Sequence, residues 1–387
     1  MLSSRLEMNR FFWDTLGHAA KVFPLRPPVL PPLADSLHIM GSRRLGGAER
    51  FFARLVLAMA EAGHAAVPVV PSDAPVSQLL GDLRKVHLPL RNPWDLFSMA
   101  QLGHLASRSK ARVIQTYLGR ASRLTRHLPK GVVHVARIGG YYKIPGYYDH
   151  AHAWVVNTRG LADYLMAQGL PATKIHVIGN FAEVFTPDAA LASCRRKALG
   201  LKEEDFVVAC LARLVEKKGI EDLLLAFALL KKSGKRQAAL LLAGDGPMRQ
   251  DAERLSQELG LSERVHFLGW QENPQQVLAL ADLLVCPSRI EPLGNVILEA
   301  WAAKVPVLAT ASEGPRELIE DGRTGILVPV ADAPALAQAL EKCALCPEAE
   351  RKSLAEAGHK KLLESHGKES VVRAYLDLYA RLLGEGS

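Results

Sequence analysis

Two glutamates, Glu291 and Glu299, stand eight positions apart in the segment CPSRIEPLGNVILEAWAAKVPVLAT. The second lies inside an apolar run that includes Val296, Ile297, Leu298, Ala300 and Trp301. A carboxylate in such surroundings is costly to desolvate unless something specific binds it, so the pair points to a ligand. DLLVCPS reads as a strand and NVILEAWAA as the helix after it, with Gly294 and Asn295 at the helix start. Glu291 then lies in the loop above the strand end. Glu299 sits deeper, roughly 6–8 Å further along a helix that rises about 1.5 Å per residue. N–H groups at a helix start take phosphate. Carboxylates repel phosphate but accept from neutral hydroxyls, so the two acids suit the vicinal diols of a ribose and of a second sugar. An internal ion pair or an exposed helix face is the competing reading of Glu299.

A second pair of groups follows the same logic. Arg213 ends the apolar segment FVVACLAR, and Lys218 falls where LVEKKGIEDLL enters a helix. Arg offers a two-pronged fork and Lys a point charge, a combination suited to a diphosphate, although two ordinary surface cations would leave the same trace. In the first half, GSRRLGGAER places Gly46 and Gly47 just ahead of a helix, where backbone N–H groups and the positive helix end are open to phosphate. The spacing is neither the dinucleotide G-x-G-x-x-G nor the P-loop, and a plain tight turn fits it as well.

These side chains need strand ends to hold them. SLHIM, AAVPVV, VHLPL, RVIQTY, VVHVAR and HAWVVN read as strands, separated by helices such as AERFFARLVLAMAEAG. The series restarts after residue 200 with FVVACLAR, AALLLAGDG, RVHFLGW, DLLVCPS, VPVLAT and GILVPV. Continuous apolar strands between helices predict parallel sheets covered on both faces, and two series predict two doubly wound α/β domains. The expected organisation is an arm and Pro-rich linker over 1–35, a first domain over 36–182 and a linker over 183–204. A second domain follows over 205–370, then a helix over 371–387 able to pack back on the first domain. Ligands of doubly wound sheets bind beyond the carboxyl ends of the strands, so two such domains would face one central cleft.

EPLGNVILEA resembles the E-x7-E element of the family-four retaining glycosyltransferases of the GT-B fold. ARLVEKKGIEDLLLAF, LLLAGDGP, VHFLGW and VPVLATASEGPRELIEDGRTGILV follow that family's order over about residues 205–330. GSRRLGGAER and VNTRGLADYL carry a looser likeness in the first half. The resemblance implies two Rossmann-like domains, an acceptor-side one and then one that binds a nucleotide-sugar donor. It implies that Arg213 and Lys218 hold the donor diphosphate, Glu299 the ribose and Glu291 the donor sugar. Backbone amides around Leu293, Gly294 and Asn295 would assist, Gly46 and Gly47 would border the donor, and Gly269 and Trp270 fall where the family edges the nucleobase. Two positions depart from the pattern. Leu293 stands where the family often has Phe, and the His that many members carry after the fifth strand is out of register. Here VVHVARIGG puts His134 inside the strand and Arg137 at its end. Arg137 is therefore expected to act as the cation near the leaving phosphate, with Tyr141, Tyr142 and Lys143 of GGYYK on the acceptor side.

Breaking a sugar–phosphate bond leaves negative charge on the diphosphate, which a metal or fixed cations must stabilise. No D-x-D pair occurs in the sequence. The expectation is a site without metal or cofactor, in which Arg213, Lys218 and helix N-termini supply the counter-charge. The resemblance further implies retention of anomeric configuration.

At 387 residues the chain is too long for one ordinary core. It has no apolar run of the roughly 18 residues that a spanning helix requires. Five cysteines, an odd number, argue for a reducing cytoplasm, and Cys343 and Cys346 lack the second ligand pair of a zinc site. Residues 1–180 hold 22 Lys+Arg against 10 Asp+Glu, whereas the remainder holds 26 against 30. A basic first half suits an anionic surface or acceptor, and RIGGYYKIPGYY and RASRLTRHLPK offer aromatic faces and cations to it. The expected setting is peripheral, at the cytoplasmic membrane face, building lipopolysaccharide or another lipid-linked envelope glycan. No nucleic-acid-binding module is recognised. Two rivals stay open: another GT-B-fold enzyme such as a nucleotide-sugar epimerase, and a catalytically silent glycan- or nucleotide-binding protein.

Overall fold

The computed structural model describes residues 34–234 and 236–384. The arm expected over 1–35 lies almost wholly outside them. Two all-parallel sheets form the frame. The first contains β1 (Ser36–Met40), β2 (Ala66–Val70), β3 (Val86–His87), β4 (Val113–Tyr117), β5 (Val133–Ile138), β6 (Ala153–Val156) and β7 (Ile175–Val177). Its strand order is β3-β2-β1-β4-β5-β6-β7. The second contains β8 (Phe206–Leu211), β9 (Ala238–Ala243), β10 (Val265–Gly269), β11 (Leu283–Cys286), β12 (Val307–Thr310) and β13 (Ile326–Val328). They lie in the order β10-β9-β8-β11-β12-β13. Every residue of β4 and of β8 is buried, as parallel strands covered by helices on both faces require. The architecture is the two-domain α/β arrangement expected from the alternation of strands and helices.

The helices that bear on the cleft or on the contacts beside it start at carboxyl ends of strands. They are α1 (Gly47–Glu61) after β1, α2 (Arg159–Ala167) after β6, α3 (Ile220–Ser233) after β8, α4 (Asn295–Ala302) after β11 and α5 (Glu313–Leu318) after β12. Two more, α6 (Glu348–Ser365) and α7 (Lys368–Leu382), complete the described chain. Ile297, Leu298 and Trp301 of α4 pack on one face of the second sheet, and Leu223 and Phe227 of α3 on the other. Val371, Tyr375 and Leu378 of α7 are buried with Phe51, Leu55 and Val56 of α1, so the last helix belongs to the first domain's core. Its Tyr379 Oη donates to Gln115 Oε1 at 2.6 Å, tying α7 to β4. The segment between the domains is not bare linker. Ala189–Ala198 is a helix whose first N–H groups donate to Asp188, and Ala182 and Leu201 on either side are buried in the second domain's core.

Candidate active site

The helix starts and strand ends of both domains open on one cleft of about 1060 Å³. Arg213, Lys218, Trp270, Glu291, Asn295 and Glu299 line its second-domain wall. Arg213 lies just beyond β8, is exposed, and has no ion-pair partner among the described residues. Lys218 ends the short turn before α3, and its Nζ donates to the Glu291 carboxylate. Ser288 Oγ donates to Glu291 Oε2 at 3.1 Å. Burial alone would depress the Lys218 ammonium, but Glu291 and then Cys286 hold it above the usual lysine range.

The loop carrying Glu291 is fixed from behind, where the Gly314 N–H of α5 donates to the Glu291 carbonyl at 2.8 Å. Leu293 is 3% exposed and packs in the core, with its backbone against Gly314 of α5, so it does not line the cleft as expected. Gly294 adopts φ +95, and a Cβ there would lie 2.8 Å from Ile297 Cδ1. Glycine is thus required at the cap, and no side chain caps α4. Its first N–H groups are therefore available to a ligand. Glu299 follows a turn later with Arg54 Nη1 of α1 at 3.8 Å. Burial holds its carboxyl above the usual range, against the pull of Arg54 and Arg50. Gly269 ends β10 at φ +66, and its carbonyl accepts from Gly244 N–H at 2.7 Å. Trp270 beyond it is 51% exposed, with the Arg50 guanidinium 5.3 Å over its ring.

The first-domain wall comes from α1 and from the loop after β5. Gly46 N–H donates to Glu49 Oε2 at 2.9 Å, which already engages one of the donors at that helix start. At Gly47 a Cβ would stand 3.1 Å from Asn295 Nδ2, so the glycine lets the starts of α1 and α4 face each other closely. Tyr142 lines the cleft, and exposed Lys143 follows it. Tyr141 Oη reaches across to donate to Glu313 Oε2 of α5 at 2.6 Å. Nearby, the Arg159 N–H at the start of α2 donates to Glu317 of α5 at 2.8 Å.

Arg137 stands at the end of β5 as expected, but its side chain does not face the cleft. It is 4% exposed and does not line the cleft. Its Nη2 donates to Asn180 Oδ1, its Nε donates to Tyr375 Oη at 3.1 Å, and its guanidinium lies 4.0 Å over the Phe51 ring. With those partners it ties β5 to Asn180, α1 and α7 rather than facing a leaving phosphate. His134 is buried in the sheet, 2.9 Å from Thr116 Oγ1, and offers no cation to the cleft either. Cys343 and Cys346 belong to a helix end, where Cys346 Sγ contacts the Cys343 carbonyl at 3.3 Å.

Sequence reasoning missed several groups at the site. Asp245, in the LLLAGDGP turn, lines the cleft, and so do Arg50 and Arg54. The i, i+4 arginines of AERFFARL were the available signal for the last two. Asn180 had no local signal. Its Nδ2 donates to Asn295 Oδ1 at 2.6 Å, and its carbonyl accepts from His366 Nδ1 at 3.0 Å. It thereby joins β5, the α6–α7 junction and the start of α4.

Two facing parallel-sheet domains, with cations and carboxylates gathered at the strand ends between them, form the architecture and central cleft expected of the GT-B fold. Residues 45–184 match the family model described as Glycosyltransferase Family 4, and residues 194–361 the one described as Glycosyl transferases group 1. The chain is 35% identical over 338 residues to the lipopolysaccharide core biosynthesis glycosyltransferase LpsE of Rhizobium meliloti, covering 87% of this chain and 96% of the relative. It is 31% identical over 343 residues to LpsD of the same organism, covering 87% and 95%. The chain belongs to the family-four glycosyltransferases. Among solved structures, Anabaena Alr3699/HepE in complex with UDP and glucose superposes with a TM-score of 0.79 at 20% identity, over 89% of this chain and 99% of that one. That likeness is one of fold.

Proposed function

We propose that the enzyme moves a sugar from a nucleotide-sugar donor to a glycan or lipid-linked glycan of the cell envelope, in assembly of a lipopolysaccharide core, with retention and without a metal. The observation that carries this reading is the second-domain wall. An exposed Arg213 and the Lys218–Glu291 pair line one cleft with the uncapped start of α4, and Glu299 lies a turn further in. Arg213 and the α4 N–H groups take the diphosphate, and Lys218 bridges it to Glu291, which accepts from donor-sugar hydroxyls. In the transfer, the bond from C1 to the diphosphate oxygen breaks and an acceptor hydroxyl oxygen bonds to C1 on the same face. The hydroxyl proton passes to the leaving diphosphate.

The names of LpsE and LpsD support a lipopolysaccharide-core acceptor. The UDP held by Alr3699/HepE makes uridine nucleotides the first donors to try. The setting proposed is peripheral, at the cytoplasmic face of the membrane. Trp94, Leu96 and Phe97 support it, being 69%, 59% and 39% exposed on one turn beside the exposed Arg91. No described helix is long and apolar enough to cross a membrane.

The test is a thermal-shift screen against UDP-, GDP-, ADP- and CMP-sugars, followed by a transfer assay on lipopolysaccharide core acceptors. One donor class should raise the melting temperature and support transfer that persists in EDTA. Activity abolished by EDTA and restored by Mn²⁺ would overturn the metal-free reading. Binding of a donor without any turnover would favour a silent binding protein.

A further inference from the structure

One helix of the first domain reaches both side chains that the second domain would offer a nucleoside. Arg50 and Arg54 are four residues apart in α1 and so leave the same helix face. Gly47, on that face as well, lies against Asn295 of α4. Arg50 Nη1 donates to the Glu272 carbonyl at 3.2 Å, with its guanidinium over Trp270. Arg54 Nη1 stands 3.8 Å from Glu299 Oε1, close enough for attraction but too far for a hydrogen bond. Arg54 Nε is buried and has no hydrogen-bond partner among the described residues. A buried guanidinium N–H without an acceptor is destabilising, and the loose ion pair does not relieve it. Both features fit a side chain whose remaining acceptor arrives with a ligand.

We propose that Arg54, supported by Arg50, completes the donor nucleotide site from the first domain. Arg54 holds Glu299 as a carboxylate for the ribose diol and donates its free Nε–H to an oxygen of the bound nucleotide. The proposal rests on the donor-site reading above. Of the charged groups that line the cleft, Arg54 and Arg50 are the ones that act on Glu299. Lys218 and Glu291 are paired with each other, and Arg213, Glu216, Lys217 and Asp245 also stand on the second-domain wall. An ionised Glu299 accepts from both hydroxyls of a diol, whereas a protonated one gives up part of its accepting capacity. A site built by the second domain alone would not respond to changes in α1. One completed from the first domain couples donor binding to closure of the cleft.

Arg54→Gln, Arg54→Lys and Glu299→Gln are compared by titration with UDP, GDP, ADP and CMP at pH 6 and pH 8, and by steady-state kinetics with the nucleotide sugar of the tightest binder. Unfolding of each donor-free variant is followed in parallel, so that a loss of fold is seen as such. Arg54→Gln should raise the donor KM and the nucleotide Kd about tenfold, the size of one lost charge-assisted hydrogen bond, with kcat within about twofold. The defect should be larger at pH 6 than at pH 8, and Arg54→Lys should recover part of it. Unchanged nucleotide binding in a folded Arg54→Gln enzyme overturns the proposal. So does a defect equal at both pH values and not eased by lysine, which would make Arg54 merely structural. If Glu299→Gln weakens nucleotide binding while Arg54→Gln does not, the proposal fails alone. If neither does, the donor-site reading fails with it.

Discussion

The second-domain wall of the cleft takes most of its charged groups from two short stretches, residues 213–218 and 291–299, each a strand end running into a helix. The first-domain wall is assembled from one face of α1 and a tyrosine of the loop after β5, and a contact between Asn180 and Asn295 ties the two domains beside it. In the second-domain wall, local geometry sets the relative positions of charges within each stretch. In the first, positions depend on packing between elements far apart in the chain. Substitutions on the two walls should therefore fail in different ways, through the chemistry of transfer on one and through coupling and stability on the other.

The largest expected effect lies on the second-domain wall. Arg213→Ala removes an exposed cation of the cleft without breaking any described ion pair, so the donor-free protein should melt at the wild-type temperature. Transfer should fall about a hundredfold in kcat/KM, the order seen when one fixed donor to developing charge is removed. A loss below about threefold in a transfer assay would put the diphosphate elsewhere.

Acid should act on the first domain before the second. His38 is fully buried, with Ser36 Oγ and Tyr117 Oη each 3.0 Å from its ring nitrogens. Burial, and then His64, push its pKa down to about 3. His134 is depressed in the same way by burial, then by His150 and His152. Such an imidazole is neutral in the fold but protonates near 6.5 when the chain unfolds. The stability it confers is complete above about pH 6.5 and is lost as pH falls below that, by about 1.4 kcal/mol per unit, so His38 alone accounts for about 2 kcal/mol at pH 5. Amide exchange at pH 5 should show β1, β4 and β5 opening before β8 and β11. The reverse order would place the weaker core in the second domain.

A smaller effect is expected at the Asn180–Asn295 contact between the domains. Asn180→Ala leaves Arg137 and Asn295 each short of a partner, at a cost of about 1–2 kcal/mol. A double-mutant cycle with Asn295→Ala, read by unfolding and by kcat/KM, should return a coupling of about 0.5–2 kcal/mol. Strict additivity would mean that the walls move independently and that the link is incidental.

The same contrast explains what could be read in advance. Both sheets were legible because a parallel strand covered on two faces must be apolar throughout, as VIQTY of β4 and FVVACL of β8 are. Arg213, Lys218, Glu291 and Glu299 were legible as a group because strand-end spacing brings them to one cleft. Arg137 was placed correctly at the end of β5, but its role depends on Asn180 and Tyr375, 43 and 238 residues away. Arg50 shows the same limit, since the carbonyl it binds is 222 residues distant. The helix Ala189–Ala198 went unread because none of its residues is fully buried, and a helix that packs little more than Ala192 on the core leaves no clear apolar stripe to find.

The smallest effect is also the one that probes the contact between the walls. Burial raises the Glu299 carboxyl above its ordinary value, so the folded chain holds that proton more tightly than the unfolded chain does. Its favourable contribution is present below the unfolded value and is lost as pH rises through the folded one, which makes the ionised form a burden at neutral pH. Glu299→Gln should lift that burden while weakening donor binding. The donor-free melting temperature at pH 7 should rise by roughly 1–3 °C, the equivalent of a few tenths to about 1 kcal/mol, and the gain should shrink toward pH 5 as the wild-type carboxyl protonates. A lowered melting temperature at pH 7 would mean that the attraction of Arg54 outweighs the cost of burial. The first-domain wall would then be clamped onto the second in the absence of donor, and closure would precede binding instead of following it.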